Sequence, residues 1–220
     1  MDVYATDEEK VEAIRKWWKD NGTTLITGVL LGLAVLFGTK AWFAYQHKQA
    51  DQASSVYVQV MNALASNNAQ EATQAGEVLT TKYSSSSYAV LGTMALAKFK
   101  LEQGQDKAAQ AQLQWALKHA DQHGIKQIIR LRLARVMLAQ KDFQGAARIL
   151  DAMKQDPGAF KAEYEEVRGD LAMAQNKPDE ARKAYDQALA ALPPDSPERG
   201  LFRAKRDDAT HSHAAPEPKS

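Results

Sequence analysis

The stretch LAKFKLEQGQDKAAQAQLQWA, residues 96–116, contains the pattern on which the fold depends. Small Ala97 is followed seven residues later by the turn residue Gly104, and alanine and leucine then recur at helical spacing. The same order returns 37 residues on in LARVMLAQKDFQGAARILDAM (133–153), and 35 residues further in RGDLAMAQNKPDEARKAYDQA (168–188). This periodicity indicates that one helix–turn–helix unit is repeated along the chain.

The three blocks resemble the tetratricopeptide pattern, in which helix pairs of about 34 residues stack on one another. The small residue is Ala97, Ala134 or Gly169, the turn residue is Gly104, Lys141 or Asn176, and the large apolar residue is Leu113, Leu150 or Tyr185. Small residues let the two helices of a unit approach closely, and large ones fill the space between units. An alanine-rich bundle without repeats is the alternative. We predict an all-α, tetratricopeptide-like stack with three recognisable repeats.

Further helices are expected on both sides of the three repeats. Apolar spacing indicates a degenerate first pair, with one helix over 49–66, Asn67 and Asn68 in the turn, and a second helix over 72–79. After the last repeat, a helix start at Ser196 and the apolar Leu201 and Phe202 predict a short capping helix. Repeat stacks need such a helix to cover their last apolar face. Residues 209–220 are polar and contain proline, which predicts a disordered tail.

An uncharged stretch, NGTTLITGVLLGLAVLFGT, occupies residues 21–39. As a helix it would reach about 28 Å, close to the roughly 30 Å thickness of a bilayer core. Tryptophans at 17, 18 and 42 flank it as an aromatic belt does. A cleaved signal peptide has a shorter apolar region, and a buried core helix is amphipathic. We therefore predict an uncleaved single-span anchor over residues 23–45, in contact with the lipid bilayer.

The charges beside this stretch predict its orientation. Lys10, Arg15, Lys16 and Lys19 precede it, and Lys40 and Lys48 follow it. Because cations concentrate on the cytoplasmic side, residues 1–22 should be cytoplasmic and residues 46–208 should lie outside, in the periplasm of a bacterium. The anchor would then be a single pass through the bacterial inner membrane.

Residues 1–22 are expected to form an amphipathic surface helix with Val11, Ile14 and Trp18 on one face. Thr6 and Glu9 form a capping-box pair, and Asn21-Gly22 is a stop signal that should end this helix before the span. Within the span, Thr24, Gly28 and Gly32 form a row of small residues that would let another membrane helix approach, although glycine is also common in such spans.

Composition and motifs exclude several classes of function. Lys+Arg is 28 and Asp+Glu is 27, a net charge of +1 that is too small for a general nucleic-acid binder. The absence of cysteine excludes thiol catalysis and Cys-ligated zinc. No nucleotide-binding or hydrolase motif occurs. His119 and His123 have metal-ligand spacing, but a helix end with exposed imidazoles explains them better. We predict no enzyme, no cofactor, no metal site and no small-molecule substrate.

The class of function that remains is binding of a protein partner. In a tetratricopeptide-like stack, the first helices of successive units line a concave groove. Fixed offsets from the small residue select the groove positions Met94, Lys98, Leu101, Leu131, Arg135, Leu138, Glu166, Asp170 and Met173. The first two units would supply an apolar lining with two cations, and the third unit would be acidic. Such a lining suits an extended or helical peptide segment, although the apolar members have the alternative of packing against the second helices.

The block EAIRKWWKDNG (12–22), the glycine-rich anchor, the degenerate repeats and the block LRLARV (131–136) together resemble the YfgM family, the ancillary subunits of the bacterial Sec translocon. The resemblance covers the chain up to about residue 207. It implies a cytoplasmic N-terminus, one span and a periplasmic repeat domain. It also implies partnership with the SecYEG channel and with a membrane-anchored periplasmic chaperone of the prolyl-isomerase type (PpiD).

Two functions follow as hypotheses. The first is a membrane-tethered interaction adaptor at the periplasmic side of the translocon, which links the channel to chaperones or emerging chains. Tethering would raise the effective concentration of the groove there. The second is a repeat scaffold for another envelope complex, in cell division or outer-membrane assembly.

Overall fold

The computed structural model describes residues 7–214, which are helical apart from short connections and contain no strand. The helices are α1 (Asp7–Ala65), α2 (Ala69–Lys82), α3 (Ser87–Glu102), α4 (Asp106–His119), α5 (His123–Ala139), α6 (Phe143–Asp151), α7 (Lys161–Ala174), α8 (Pro178–Ala191) and α9 (Arg199–Ala214), with a 3₁₀ turn at Gly158–Phe160. The predicted all-α class is confirmed. The chain divides into two compact units, which meet between Asp51 and Gln52 and are described separately.

The first unit contains the membrane-anchor candidate. Its part of α1 is long and apolar enough to cross a membrane, and large apolar side chains such as Leu30 and Phe37 are 60% and 69% exposed. A core helix would bury these side chains, so the exposure favours contact with lipid.

The predicted helix end at Asn21-Gly22 is wrong, because α1 continues through both residues. The side chain of Asn21 donates to the carbonyl of Trp17 at 3.1 Å, so it supports the helix rather than a turn. Gly22 lies beneath the Trp18 indole, where a Cβ would come within 3.3 Å of the ring. The capping partner Thr6 lies outside the described residues.

The second unit is a stack of antiparallel helix pairs. The end of α1 packs against α2. The pairs α3–α4, α5–α6 and α7–α8 follow as the three predicted repeats. Leu113, Leu150 and Tyr185 are buried as predicted, at 1%, 3% and 2% exposure. The core is a series of apolar clusters between neighbouring pairs, as expected for a stack in which each unit contacts its neighbours.

The turns inside the four pairs share one backbone geometry. Asn67, Gly104, Lys141 and Asn176 all have positive φ, between 56° and 71°. After each of them, the next residue donates its N–H to the carbonyl five positions earlier, as in Gln105 to Lys100 at 2.8 Å. This is the Schellman arrangement, which ends one helix and lets the next begin two residues later. Asn67 therefore identifies the degenerate first pair as a true member of the stack.

Glycine and alanine occupy the crossings between helices. Ala97 and Ala134 are 1% and 0% exposed, and a Cβ at Gly169 would lie 2.3 Å from the Tyr185 ring. Gly76 and Gly92 lie at a further crossing that the repeat pattern did not predict, and a Cβ there would meet Leu96 and Leu79 at 2.2 and 2.5 Å. These two glycines let α2 and α3 pack closely.

Helix α9 caps the last pair. Phe202 and Ala209 are buried, whereas Leu201 is exposed. The Arg199 guanidinium donates to the carbonyls of Leu189 and Leu192 at 2.9 and 3.1 Å, which satisfies the free end of α8. The helix begins at Arg199, three residues after the predicted start, and it continues to Ala214. The predicted tail is therefore wrong for residues 209–214, and residues 215–220 lie outside the described residues.

Candidate functional site

A cavity of about 480 Å³ opens between α3 and α5. Its walls are apolar and comprise Met94, Ala97, Leu101, Leu113, Val136 and Ala139. The cations Lys98, Arg132 and Arg135 also line it. The structure thus brings together four of the nine residues predicted for the groove, namely Met94, Lys98, Leu101 and Arg135.

The three cations differ in how they are engaged. Lys98 makes a long ion pair of 3.7 Å with Glu102, and the two side chains are 76% and 59% exposed. Arg135 donates to Glu166 at 2.8 Å, which uses only part of its five-donor guanidinium. Arg132 has no ion-pair partner among the residues that the structure describes. Two of the three cations are therefore available to a bound group.

Arg132 was not predicted for the groove. The fixed offsets from the small residue selected Leu131 and Arg135 and passed over Arg132, one of the three residues between them. Arg132 precedes Arg135 by three positions, which places both on one face of α5. A helical-wheel comparison of α5 would have found it.

The acidic residues predicted for the third unit are occupied within the chain. Lys205 of α9 donates to both carboxylate oxygens of Asp170, at 2.8 and 2.7 Å, and also to Glu166. Tyr185 adds a 2.8 Å hydrogen bond to Asp170, and the side chain of Glu166 is only 5% exposed. Glu166 is thus an internal residue rather than a groove lining, because α9 covers it.

The pKa shifts follow from this arrangement. Burial raises the pKa of Glu166, but hydrogen bonds from Lys205 and Arg135 outweigh it, and the net pKa lies below its usual value. Burial and the nearby Glu166 charge raise the pKa of Asp170. The Lys205 hydrogen bond lowers it by less, so the net pKa of Asp170 lies above its usual value. Burial lowers the pKa of Lys205, yet hydrogen bonds to the two carboxylates leave it raised. Arg135, Glu166, Asp170 and Lys205 thus form a charged cluster shared by α5, α7 and α9.

Three predicted apolar groove residues face neighbouring helices instead. Leu131 is 3% exposed and packs in the cluster that contains Val167, between α5 and α7. Leu138 is half-buried against the same cluster, and Met173 is half-buried beside Tyr185. For Leu131 the groove prediction is wrong, because adjacent first helices bury this position between them.

The two histidines belong to different helices, His119 at the end of α4 and His123 at the start of α5. His119 is half-buried rather than exposed, because its ring stacks on Trp115 with a centroid distance of 3.9 Å. His123 is exposed and lies 3.4 Å from the Asp156 carboxylate. Among the described residues, no cluster of three or more His, Cys, Asp or Glu side chains could hold a metal ion.

The small row of the anchor is open within the chain. At Gly28 and Gly32 an added Cβ would meet no atom within 4 Å outside the local backbone. Space for a second helix is therefore present, and the packing role of Thr24, Gly28 and Gly32 stays a prediction.

The apolar exposed helix and the stacked pairs define a membrane-associated helical-repeat protein. The chain belongs to the family described as tetratricopeptide repeat-like domain, whose model matches residues 15–211.

Curated relatives extend the comparison. The chain is 29% identical to the ancillary SecYEG translocon subunit of Escherichia coli (strain K12), over 86% of this chain and 90% of that protein. It is 28% identical to the subunit of the same name from Haemophilus influenzae, over 83% of this chain and 88% of that protein. It is 29% identical to the subunit of the same name from Neisseria gonorrhoeae, over 94% of this chain and 99% of that protein. The resemblance to the ancillary translocon-subunit family is confirmed, and none of these names denotes an enzyme.

Proposed function

We propose that this chain is a non-catalytic, membrane-tethered adaptor that associates with the SecYEG translocon and presents its repeat domain on the periplasmic side. The relatives named above support the association with the channel. The Lys/Arg asymmetry around the anchor supports the periplasmic placement of the repeats. In this position the domain links the channel to a membrane-anchored chaperone of the PpiD type or to emerging chains.

The cavity between α3 and α5 is the observation that carries the binding function. It is open, largely apolar and bordered by cations, and pockets of about 300–1,000 Å³ are typical of ligand sites. A tether of one span holds this cavity near the membrane, which raises its effective concentration for partners there. Of the predicted groove, Met94, Lys98, Leu101 and Arg135 form the proposed contact surface. Leu138 and Met173 pack against neighbouring helices and lie outside this surface, and Asp170 acts within the charged cluster.

The anchor supplies the proposed contact with the channel. Thr24, Gly28 and Gly32 present a smooth face on which a transmembrane helix of the channel can pack, because small side chains allow close backbone approach. A Cβ at Gly28 or Gly32 would meet no atom of the described chain within 4 Å outside the local backbone.

Recovery of SecYEG from detergent-solubilised membranes tests the proposal. The tagged full-length chain should recover the channel, and Gly28→Leu with Gly32→Leu should reduce that recovery strongly by blocking helix approach. Ala34→Leu with Ala41→Leu is the matched control, because both alanines are exposed and lie away from the row around the helix. If the wild-type chain recovers no SecYEG, the association is wrong. If the paired leucines leave recovery unchanged, the anchor does not make the contact.

A further inference from the structure

At one repeat position the sign of the charge alternates from α5 through α7 to α9, the C-terminal half of the stack. It does not alternate between α3 and α5, where the cavity lies. The residue that follows the small position is Lys98 in α3, Arg135 in α5 and Asp170 in α7. The same register reaches Lys205 in α9, which follows Ala204 and stands 35 residues after Asp170. The two steps from α5 to α9 thus place a carboxylate between two cations.

The three charges of this register, Arg135, Asp170 and Lys205, each have a partner within the chain. Glu166 accepts from Arg135 at 2.8 Å and from Lys205, and Asp170 accepts from Lys205 at 2.7 Å. Between α3 and α5, by contrast, the neighbours Lys98 and Arg135 are both cations, and Arg132 adds a third. Lys98 and Arg135 pair with Glu102 and Glu166, which lie outside the cavity lining. Among the described residues, no carboxylate lines the cavity itself. A bound group that brings carboxylates would restore the alternation.

Outside the cavity, α3 and α1 each carry an exposed apolar side chain near the same register. Leu91, Met94 and Lys98 share one face of α3 at helical spacing, and Leu91 is 37% exposed. One repeat earlier, Met61 occupies the register position of Lys98 and is 40% exposed. A bound group that contacts these side chains as well as the cavity has the length of a polypeptide segment rather than of a compact small molecule.

We infer that the cavity binds an acidic amphipathic segment of a partner protein, with an apolar side chain between Met94 and Leu101 and carboxylates between Lys98 and Arg132. The inference rests on the proposed function of the domain as a binding protein and adds the chemistry and direction of its ligand. The acidic part of the segment lies toward α5, and its apolar part extends over Leu91 toward Met61. The C-terminal half of the stack takes no part, because α9 neutralises it.

A peptide-binding measurement on the full-length chain in detergent micelles tests this inference. The probe is a short, acetylated and amidated helical peptide with leucines on one face and glutamates beside them. Fluorescence anisotropy should detect its binding, and a peptide with glutamine for glutamate should bind about tenfold more weakly. Added salt should weaken the acidic peptide more than the glutamine peptide, because carboxylates meet exposed cations.

Variants locate the site. Lys98→Gln with Arg132→Gln should weaken the acidic peptide about tenfold, whereas Lys118→Gln with Arg148→Gln removes equivalent exposed cations elsewhere and should have no effect. Ala139→Leu should also weaken binding, because it fills the cavity from the exposed end of α5 without changing charge. Circular dichroism establishes that each variant keeps its helicity.

Three outcomes would overturn the inference: equal binding of both peptides, unchanged binding by the Lys98 and Arg132 double variant, or tighter binding of anionic lipid vesicles than of the acidic peptide at the same cations. The outcome for the channel is separate. Peptide binding without recovery of SecYEG contradicts the proposed function alone, and recovery of SecYEG without peptide binding contradicts only this inference.

Discussion

Lys141 shows how strongly the repeat geometry constrains a single residue. It occupies a left-handed turn position, with φ of 62°, where Gly104 serves in the preceding unit. For a residue with a side chain this conformation costs about 1–2 kcal/mol, whereas the greater freedom of glycine in the unfolded chain costs about 0.5–1 kcal/mol.

Lys141→Gly should therefore stabilise the chain by about 0.5–1 kcal/mol, because the relief of strain exceeds the entropic cost. Gly104→Ala should have the opposite sign, since it introduces the same strain. Urea denaturation of the full-length chain in micelles measures both changes. A Lys141→Gly variant less stable than wild type would mean that the lysine side chain makes a compensating contact.

Glu166 should make the stability of the domain sensitive to acid. Its pKa in the folded chain is lowered from the ordinary 4.5, so it contributes stability above that value, and this contribution is lost as pH falls through the lower folded pKa. Asp170 has a raised pKa and acts in the opposite sense, because acid relieves the cost of its ionisation. Glu166→Gln should therefore lose less stability than wild type when pH falls from neutral to below 4.5.

Thermal unfolding across this pH range checks the difference. Glu180→Gln is the control, because its carboxylate is exposed, and it should keep the wild-type pH profile. Parallel profiles for Glu166→Gln and wild type would show that the cluster does not determine acid stability.

The role of a single residue was predictable from sequence where its near neighbours determine it. It was not predictable where a residue far along the chain determines it. The turn residues Gly104, Lys141 and Asn176 were predictable because each lies at a fixed distance from a small residue. The burial of Glu166 was not, since its partner Lys205 is 39 residues away and belongs to a helix assigned only a capping role. Lys205 continues the register of Asp170, so extending the repeat phase into α9 would have revealed it.

At the scale of helices, close crossings depend on glycine. The ring of Tyr185 fills the place where a Cβ of Gly169 would lie, and its hydroxyl is held by Asp170 at 2.8 Å. The ring therefore cannot move aside easily, and α7 and α8 can approach only if position 169 has no side chain.

Gly169→Ala should destabilise the domain by about 1–3 kcal/mol through overpacking, which exceeds the gain in helix propensity of up to about 1 kcal/mol. Gly200→Ala in α9 is the matched change, because a Cβ there meets no atom within 4 Å, and it should stabilise the helix slightly. Denaturation midpoints should therefore shift in opposite directions. Equal shifts would mean that the Tyr185 ring accommodates the methyl group.

Helix boundaries were predictable where the chain must turn and less so where a stop signal has another use. The pairs α3–α4, α5–α6 and α7–α8 follow from their turn residues. Asn21-Gly22 has the composition of a helix end, yet Asn21 bonds back to Trp17 and Gly22 accommodates the Trp18 ring. Both residues thus stabilise the helix interior, and the amino-acid sequence alone does not distinguish this role from that of a helix end.

For the whole molecule, the expected topology can be tested cleanly because the chain contains no cysteine. A single cysteine at Lys118, on the exposed surface of α4, should react with a membrane-impermeant maleimide in intact spheroplasts. A single cysteine at Arg15, before the span, should react only after lysis, because the cations on that side favour the cytoplasm. The reverse labelling pattern would show that the repeat domain lies in the cytoplasm.

The nearest-neighbour packing of α2 to α9 also determines how the domain can fold. Extensive contacts join helices that are consecutive in the chain, and α5 additionally contacts α7. Proteins built from such local contacts fold fast, since little loop-closure entropy precedes each stabilising contact. The earliest helix pairs can therefore acquire native packing while the later ones are still being synthesised or threaded through a membrane channel. A chain delivered N-terminus first would complete its cation-lined cavity at α5, before the helices that neutralise its other end have emerged.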